Sequence, residues 1–192
     1  MRWTQDDVIA AAFATLEQEG LEGLSLRGVA RALGAHLNSV SWYVKTKQSL
    51  IATMADAIVG SVAVDDLPDD PVERVRAVVG RYRQAMLGHR DGGRLVAGTY
   101  TSTDRTLRVA EVIVGGLLSA GYSDQDAARL CWALVYFTLG LTQEQQTTPQ
   151  AGEAEPEWAA YPALAKVGEA LLAHDSFDAR FDYGVARLLR LV

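Results

Sequence analysis

Apolar residues recur three and four positions apart along almost the whole chain, the spacing of amphipathic helices. Val8, Ile9, Ala12, Phe13 and Leu16 make the first such face. Thr4 and Asp7 precede it as a capping box, and Gly20 closes it. Ser25 caps a short helix with Leu26, Val29, Ala30 and Leu33, which Gly34 stops; another restarts near Leu37 and carries Val40 and Tyr43 inward. Thr46 opens a longer helix with Leu50, Ile51, Met54, Ile58 and Val62. It ends at the acidic, proline-bearing break 65–71.

Asp70 and Pro71 then read as N-cap and first helical residue for the face Val72, Val75, Val78, Val79, Tyr82 and Met86. A turn follows at His89-Arg90-Asp91-Gly92-Gly93, then a short segment to Gly98 and Thr99. Asp104 begins a helix with Leu107, Val109, Val112, Ile113 and Leu117, ended by Gly121. Ser123 and Asp126 form another capping box. The helix from 124 to about 145 carries Leu130, Trp132, Leu134, Val135, Phe137 and Leu141 and is apolar on nearly every side. That pattern predicts cover both from its own domain and from a partner. Residues 142–157 lack periodicity and read as a loop. Two last helices follow, one with Leu164, Val167, Leu171 and Leu172, the other with Phe177, Phe181, Val185, Leu188, Leu189 and Val192. No strand pattern is present, so the predicted fold is all-α: a three-helix head at 1–47, a linking helix at 48–66 and a helical second domain at 67–192.

With 49% hydrophobic residues in 192, the chain has material for a sizeable core. Cys131, the one cysteine, excludes an intramolecular disulfide and fits a reducing cytoplasm. The N-terminus lacks the apolar core of a signal peptide, and the longest apolar run, 130–141, is too short to span a bilayer. A cytoplasmic protein with no membrane partner is expected. His36, His89 and His174 stand far apart without ligand spacing, so neither a metal site nor a cofactor is expected. No Ser-His-Asp order or strand-borne phosphate loop occurs, and His89-Arg90-Asp91 reads as a helix-end turn rather than a catalytic triplet.

Charge changes the picture in one place. The chain carries a formal net charge of -6, yet Ser25 to Ser49 holds Arg27, Arg31, Lys45 and Lys47 with no Asp or Glu. Positive charge without carboxylates suits a phosphate backbone. Small Ala30, turn-forming Gly34 and apolar Val40 suit two helices crossing steeply, the helix-turn-helix arrangement. Leu37, Asn38, Ser39, Ser41 and Trp42 then project outward from the second helix, as does Tyr43 unless it packs down. Double-stranded DNA is the expected partner.

The run Ser41-Trp42-Tyr43-Val44-Lys45-Thr46-Lys47-Gln48-Ser49-Leu50 resembles the end of the DNA-binding segment of the tetracycline-repressor (TetR) family. Further along, Leu87-Gly88-His89-Arg90-Asp91-Gly92-Gly93 with Gly98-Thr99, and Tyr136-Phe137-Thr138-Leu139-Gly140 with Glu144, resemble the ligand-binding domain of that family's tetracycline-responsive members. The resemblance implies a homodimer built by the eighth and tenth helices, a pocket in each core, and an inducer that shifts the fourth helix and spreads the heads. It implies that Arg27 reads a guanine, that Asn38, Ser39 and Trp42 occupy recognition-helix contact positions, and that Tyr43 and Lys47 meet phosphates. Leu37 stands where the family has a base-reading glutamine.

In the pocket, the resemblance places Val96 where a histidine would hold drug-chelated magnesium. Ala63, Val78 and Val112 replace polar drug contacts, Tyr82 replaces a phenylalanine, and Thr99 and Glu144 are kept. The expected wall is Val78, Tyr82, Val96, Thr99, Val112, Cys131 and Val135, with Glu144 reaching in from the partner. The implied function is a transcriptional regulator, a repressor released by a small, largely apolar effector. The alternative is a helical small-molecule-binding protein or enzyme that makes no use of the head.

Overall fold

The computed structural model describes residues 3–99, 103–147, 160–172 and 176–189. Among the described residues ten helices follow in order: α1 (Gln5–Gly23), α2 (Leu26–Leu33), α3 (Leu37–Tyr43), α4 (Lys47–Gly60), α5 (Pro71–Leu87), α6 (Gly92–Val96), α7 (Asp104–Ser119), α8 (Asp124–Thr147), α9 (Pro162–Leu172) and α10 (Phe177–Leu188). The caps expected from the sequence are in place. Thr4 and Asp7 close a reciprocal box, Ser25 Oγ accepts the Gly28 N–H at 3.1 Å, and Asp70 accepts from Val72 and Glu73 ahead of Pro71. Each satisfies backbone donors that the first helical turn cannot bond internally.

Gly20 breaks the regular path of α1 at φ 69° and ψ 176°, and one further turn follows it. Gly34 ends α2 in the left-handed region at φ 65°, with the Ala35 N–H returning to the Ala30 carbonyl at 2.9 Å. That geometry swings the chain from α2 into α3.

Helices α1 to α3 pack as a head, and α4 leaves it to lie against α5, α6 and α7. Leu50, Met54 and Ile58 of α4 are essentially inaccessible, so the apolar core runs unbroken from Val8 in the head to Leu189 at the far end. The acidic link after α4 is held by two arginines of α5. Arg81 donates to the carbonyls of Ala63, Asp65 and Asp66, and Arg74 to those of Pro68 and Asp69.

In the body α5 lies against α7, and α8 packs on α5, α6, α7 and α10. Of the expected loop, 142–147 is helical instead, since α8 continues to Thr147, and 148–157 lies outside the described residues. Gln146 donates to the carbonyls of Met86 and His89 and accepts from the Gly93 N–H, so tertiary bonds hold the last turn that polar composition alone assigns to a loop. Arg83 is 2% exposed and joins three helices from α5. It reaches Asp178 of α10 at 2.6 Å and Gln145 of α8 at 2.5 Å, and lies over the Phe181 ring at 5.0 Å.

The expectation of an α8 buried all round is half met within one chain. Leu134 and Thr138 are buried, but Trp132 and Tyr136 are 48% and 55% exposed and stack on each other. At the end of α10 Leu189 is buried within its own chain, and its carbonyl accepts from the Tyr122 hydroxyl at 2.6 Å. Leu191 and Val192 lie outside the described residues.

The α8–α10 contact is close because position 184 lacks a side chain: a Cβ there would overlap the Phe137 ring. Gly184→Ala is expected to lower stability by about 1–3 kcal/mol through overpacking. Gly80, inside α5 with open space around it, is the control, and Gly80→Ala is expected to raise stability by up to about 1 kcal/mol. Denaturant unfolding of both variants checks the pair; equal shifts would mean that the close approach does not govern the packing.

Candidate nucleic-acid interface and ligand cavity

Val40 and Val44 anchor α3 in the head at 0% and 3% exposure, which fixes the rotation of the helix. The rest of its surface then faces outward: Trp42 is 83% exposed, Leu37 and Asn38 are exposed, and Ser39 is half-buried. Arg27 on α2 is exposed and, like Lys45, has no carboxylate partner among the described residues. An indole this exposed costs hydration free energy that packing in the free chain does not recover.

The expectation of carboxylate-free positive charge fails at Arg31, which pairs with Glu19 of α1 at 2.6 Å. Pattern reading within 25–49 could not see a partner from another helix. Lys47 is already engaged as well: its ammonium donates to the carbonyls of Leu21 and Glu22 at 3.0 and 3.1 Å and so caps the end of α1. One of its three protons remains for a phosphate. Tyr43 is half-buried and its hydroxyl donates to the Trp3 carbonyl, so towards DNA its oxygen can only accept.

A partly open cavity of about 380 Å³ lies between α4, α5, α7 and α8, with the end of α6 contributing to its wall. Of the expected wall, Tyr82, Val96, Thr99, Cys131 and Val135 line it. Val78 and Val112 do not, and neither does Glu144 of the same chain, whose expected approach is from a partner. Val78 is sealed in the core, Val112 is half-buried outside the lining, and Glu144 is exposed on α8. The structure adds Val59 from α4, Thr106, Leu107, Val109, Ala110 and Ile113 from α7, and Trp132 from α8. Reading α7 by one face missed them as wall, because Val109 and Ile113 serve core and cavity together while Thr106, Leu107 and Ala110 widen that face towards the cavity. Leu107, 55% exposed, was the available signal: an apolar side chain with too little cover.

Among the described residues, no ionisable acid, base or imidazole other than the Cys131 thiol and the Tyr82 phenol lines the cavity. Burial pushes both groups upward in pKa, so both stay protonated near neutral pH. The Thr99 hydroxyl donates to the Val96 carbonyl at 2.6 Å. Ala63 lies away from this wall, exposed in the link, with its carbonyl bound by Arg81.

Between head and cavity runs the turn His89–Arg94. Asp91, at φ 55°, accepts the Leu21 N–H at 2.8 Å. Arg90 donates to the carbonyls of Glu17 and Gln18 at 3.0 and 3.1 Å, and its own N–H goes to the Glu17 carboxylate. Arg94 pairs with Glu22 at 2.7 Å, and His89 stacks on Phe13 with ring centres 4.3 Å apart. The His-Arg-Asp triplet is therefore a clamp on α1. Val96 and Thr99, a few residues on, are cavity wall. On the other side α4 supplies Val59 to that wall, and its Asp56 accepts from the hydroxyl of Thr103, the N-cap of α7.

Residues 66–190 match the family model described as the tetracyclin repressor-like, C-terminal domain. The tetracycline repressor protein class E of Escherichia coli is 32% identical over 98% of this chain and 90% of its own. Among solved structures, a possible TetR family transcriptional regulator from Streptomyces coelicolor A3(2) superposes with a TM-score of 0.86 at 34% identity, covering 97% of each chain. BioQ with its double-stranded DNA operator superposes at 0.69 with 26% identity, over 90% of this chain and 99% of that one. These matches run through head, linking helix and body of this chain, and the chain belongs to the TetR family of transcriptional regulators.

Proposed function

We propose that this protein is a homodimeric repressor that reads a pseudo-palindromic operator with α3 and is released when a small, largely apolar effector fills the cavity. The observation that carries the DNA half is the exposed face of α3, with Trp42 beside Asn38 and the unpaired Arg27 on α2, in an otherwise acidic chain. BioQ, whose operator complex is known, has the same fold. An enzyme or carrier that used only the cavity would gain nothing from leaving these groups in water. The aromatic stripe Trp132 and Tyr136 on α8, with Tyr183 of α10 64% exposed, supports association through those two helices. Two-fold symmetry then sets half-site centres about one helical turn, roughly 34–36 Å, apart or slightly more.

Arg27 and Lys47 carry different duties. Arg27→Ala is expected to cost about 1–3 kcal/mol on the cognate duplex and to relax preference at one base pair. Lys47→Met is expected to weaken specific and random duplexes alike and to flatten the salt slope. Its cap on α1 adds a loss of stability of about 1 kcal/mol, seen in thermal unfolding. Equal losses on specific and random DNA for both variants would overturn these roles.

The effector half rests on the wall chemistry. Magnesium needs hard oxygen ligands or a nitrogen donor, and Val96, Val135 and Ile113 offer neither. A magnesium-chelated tetracycline would leave buried polar groups unpaired at about 1–3 kcal/mol each, which over a few groups amounts to several decades of affinity. Titration of operator-bound protein with tetracycline and magnesium is therefore expected to give no release at micromolar drug. Release at sub-micromolar drug that chelator abolishes would contradict the proposed effector class.

A further inference from the structure

The cavity's polar groups differ in what they have left to give. Thr99 spends its hydroxyl proton on the Val96 carbonyl, and the Thr106 hydroxyl donates to the Thr103 carbonyl at 3.1 Å. The Cys131 thiol is a weak donor. Tyr82 is different. It is 6% exposed and lines the cavity, and its hydroxyl has no hydrogen-bond partner among the described residues. No cationic side chain lines the cavity among the described residues.

We infer, on the strength of the proposed effector function, that Tyr82 is the specificity-determining residue of the cavity and that it selects an uncharged aromatic ligand bearing a carbonyl oxygen. The free phenol proton needs an acceptor once a ligand has displaced water, because a buried donor left unmade is costly whereas a satisfied one is not. A ligand hydroxyl that donated to the Tyr82 oxygen would leave that proton stranded, so an acceptor oxygen on the ligand fits better. A carboxylate would also accept, but it would bring a full charge into an apolar space with nothing to pair it. The remaining wall favours a flat ring system: valine, isoleucine and alanine methyl groups surround it, and Trp132 offers an aromatic surface at the α8 side. A phenylalanine at position 82 would fill the same space without asking anything of the ligand.

The test uses the full-length protein and three tricyclic probes of one shape: fluorene, 9-fluorenone, which adds a carbonyl, and fluorene-9-carboxylate, which adds a charge. Binding is followed by calorimetry for the wild type and for Tyr82→Phe. Fluorenone is expected to bind the wild type about five- to tenfold tighter than fluorene, the size of one buried hydrogen bond. The carboxylate is expected to be the weakest. Tyr82→Phe should bring fluorenone and fluorene within about twofold of each other while leaving fluorene binding unchanged or slightly tighter. The variant should melt no lower than the wild type, since the hydroxyl it loses has no partner among the described residues.

Equal binding of fluorene and fluorenone by the wild type would overturn this inference while leaving an apolar cavity ligand standing. So would a fluorenone preference that survives in Tyr82→Phe, or tightest binding by the carboxylate. Failure of all three probes to bind the wild type would overturn the effector function and the role of Tyr82 together.

Discussion

The end of α1 is held by a turn that belongs to the other half of the molecule, and most of what the protein can do depends on that hold. A helix C-terminus leaves carbonyls without partners. Here Arg90 takes those of Glu17 and Gln18, Lys47 takes those of Leu21 and Glu22, and Asp91 supplies an acceptor for the Leu21 N–H just past the break at Gly20. Each contact is modest and largely exposed, where ion pairs contribute little. Together they add little to stability beyond the Lys47 cap, and what they chiefly fix is an angle. Since α2 and α3 pack on α1, fixing α1 fixes where Trp42 and Arg27 point.

The same turn runs into Val96 and Thr99 at the cavity, and α4 joins the arrangement from the other side through Val59 and the Asp56–Thr103 bond. A ligand can shift the head only through a difference in its contacts between two arrangements. The wall segments that a ligand touches are continuous with the two elements that hold the head, so a change at the wall has a short path to α1. The continuous core through Leu50, Met54 and Ile58 makes that path stiff, because packed interiors transmit displacement instead of absorbing it.

Local rules carried the sequence reading a long way. Thr4, Ser25, Gly34, Thr46, Asp70 and Pro71 all do in the structure what cap and turn chemistry says they should, since caps act on their own next turn. The outward face of α3 was legible because Val40 and Tyr43 already suggest how to rotate a seven-residue helix; the structure buries Val40, half-buries Tyr43 and adds Val44 as an anchor. What escaped depends on distance in sequence. Glu19 neutralises Arg31, Gln146 extends α8 by bonding to the turn after α5, and α7 turns Leu107, Ala110 and Thr106 to a cavity that only four-helix packing creates. Val78 was assigned to the wall by resemblance and proved to be core, because neighbouring positions on α5 divide between the two.

Arg90 offers the most direct measurement of whether the body sets the head, since it belongs to the body yet bonds to the end of α1. An Arg90→Met variant should keep its fold and its binding to random DNA, which needs only charge on the head, while losing several-fold in affinity for the selected operator as α3 loses its set. Operator affinity equal to that of the wild type, measured at the same salt, would contradict the clamp.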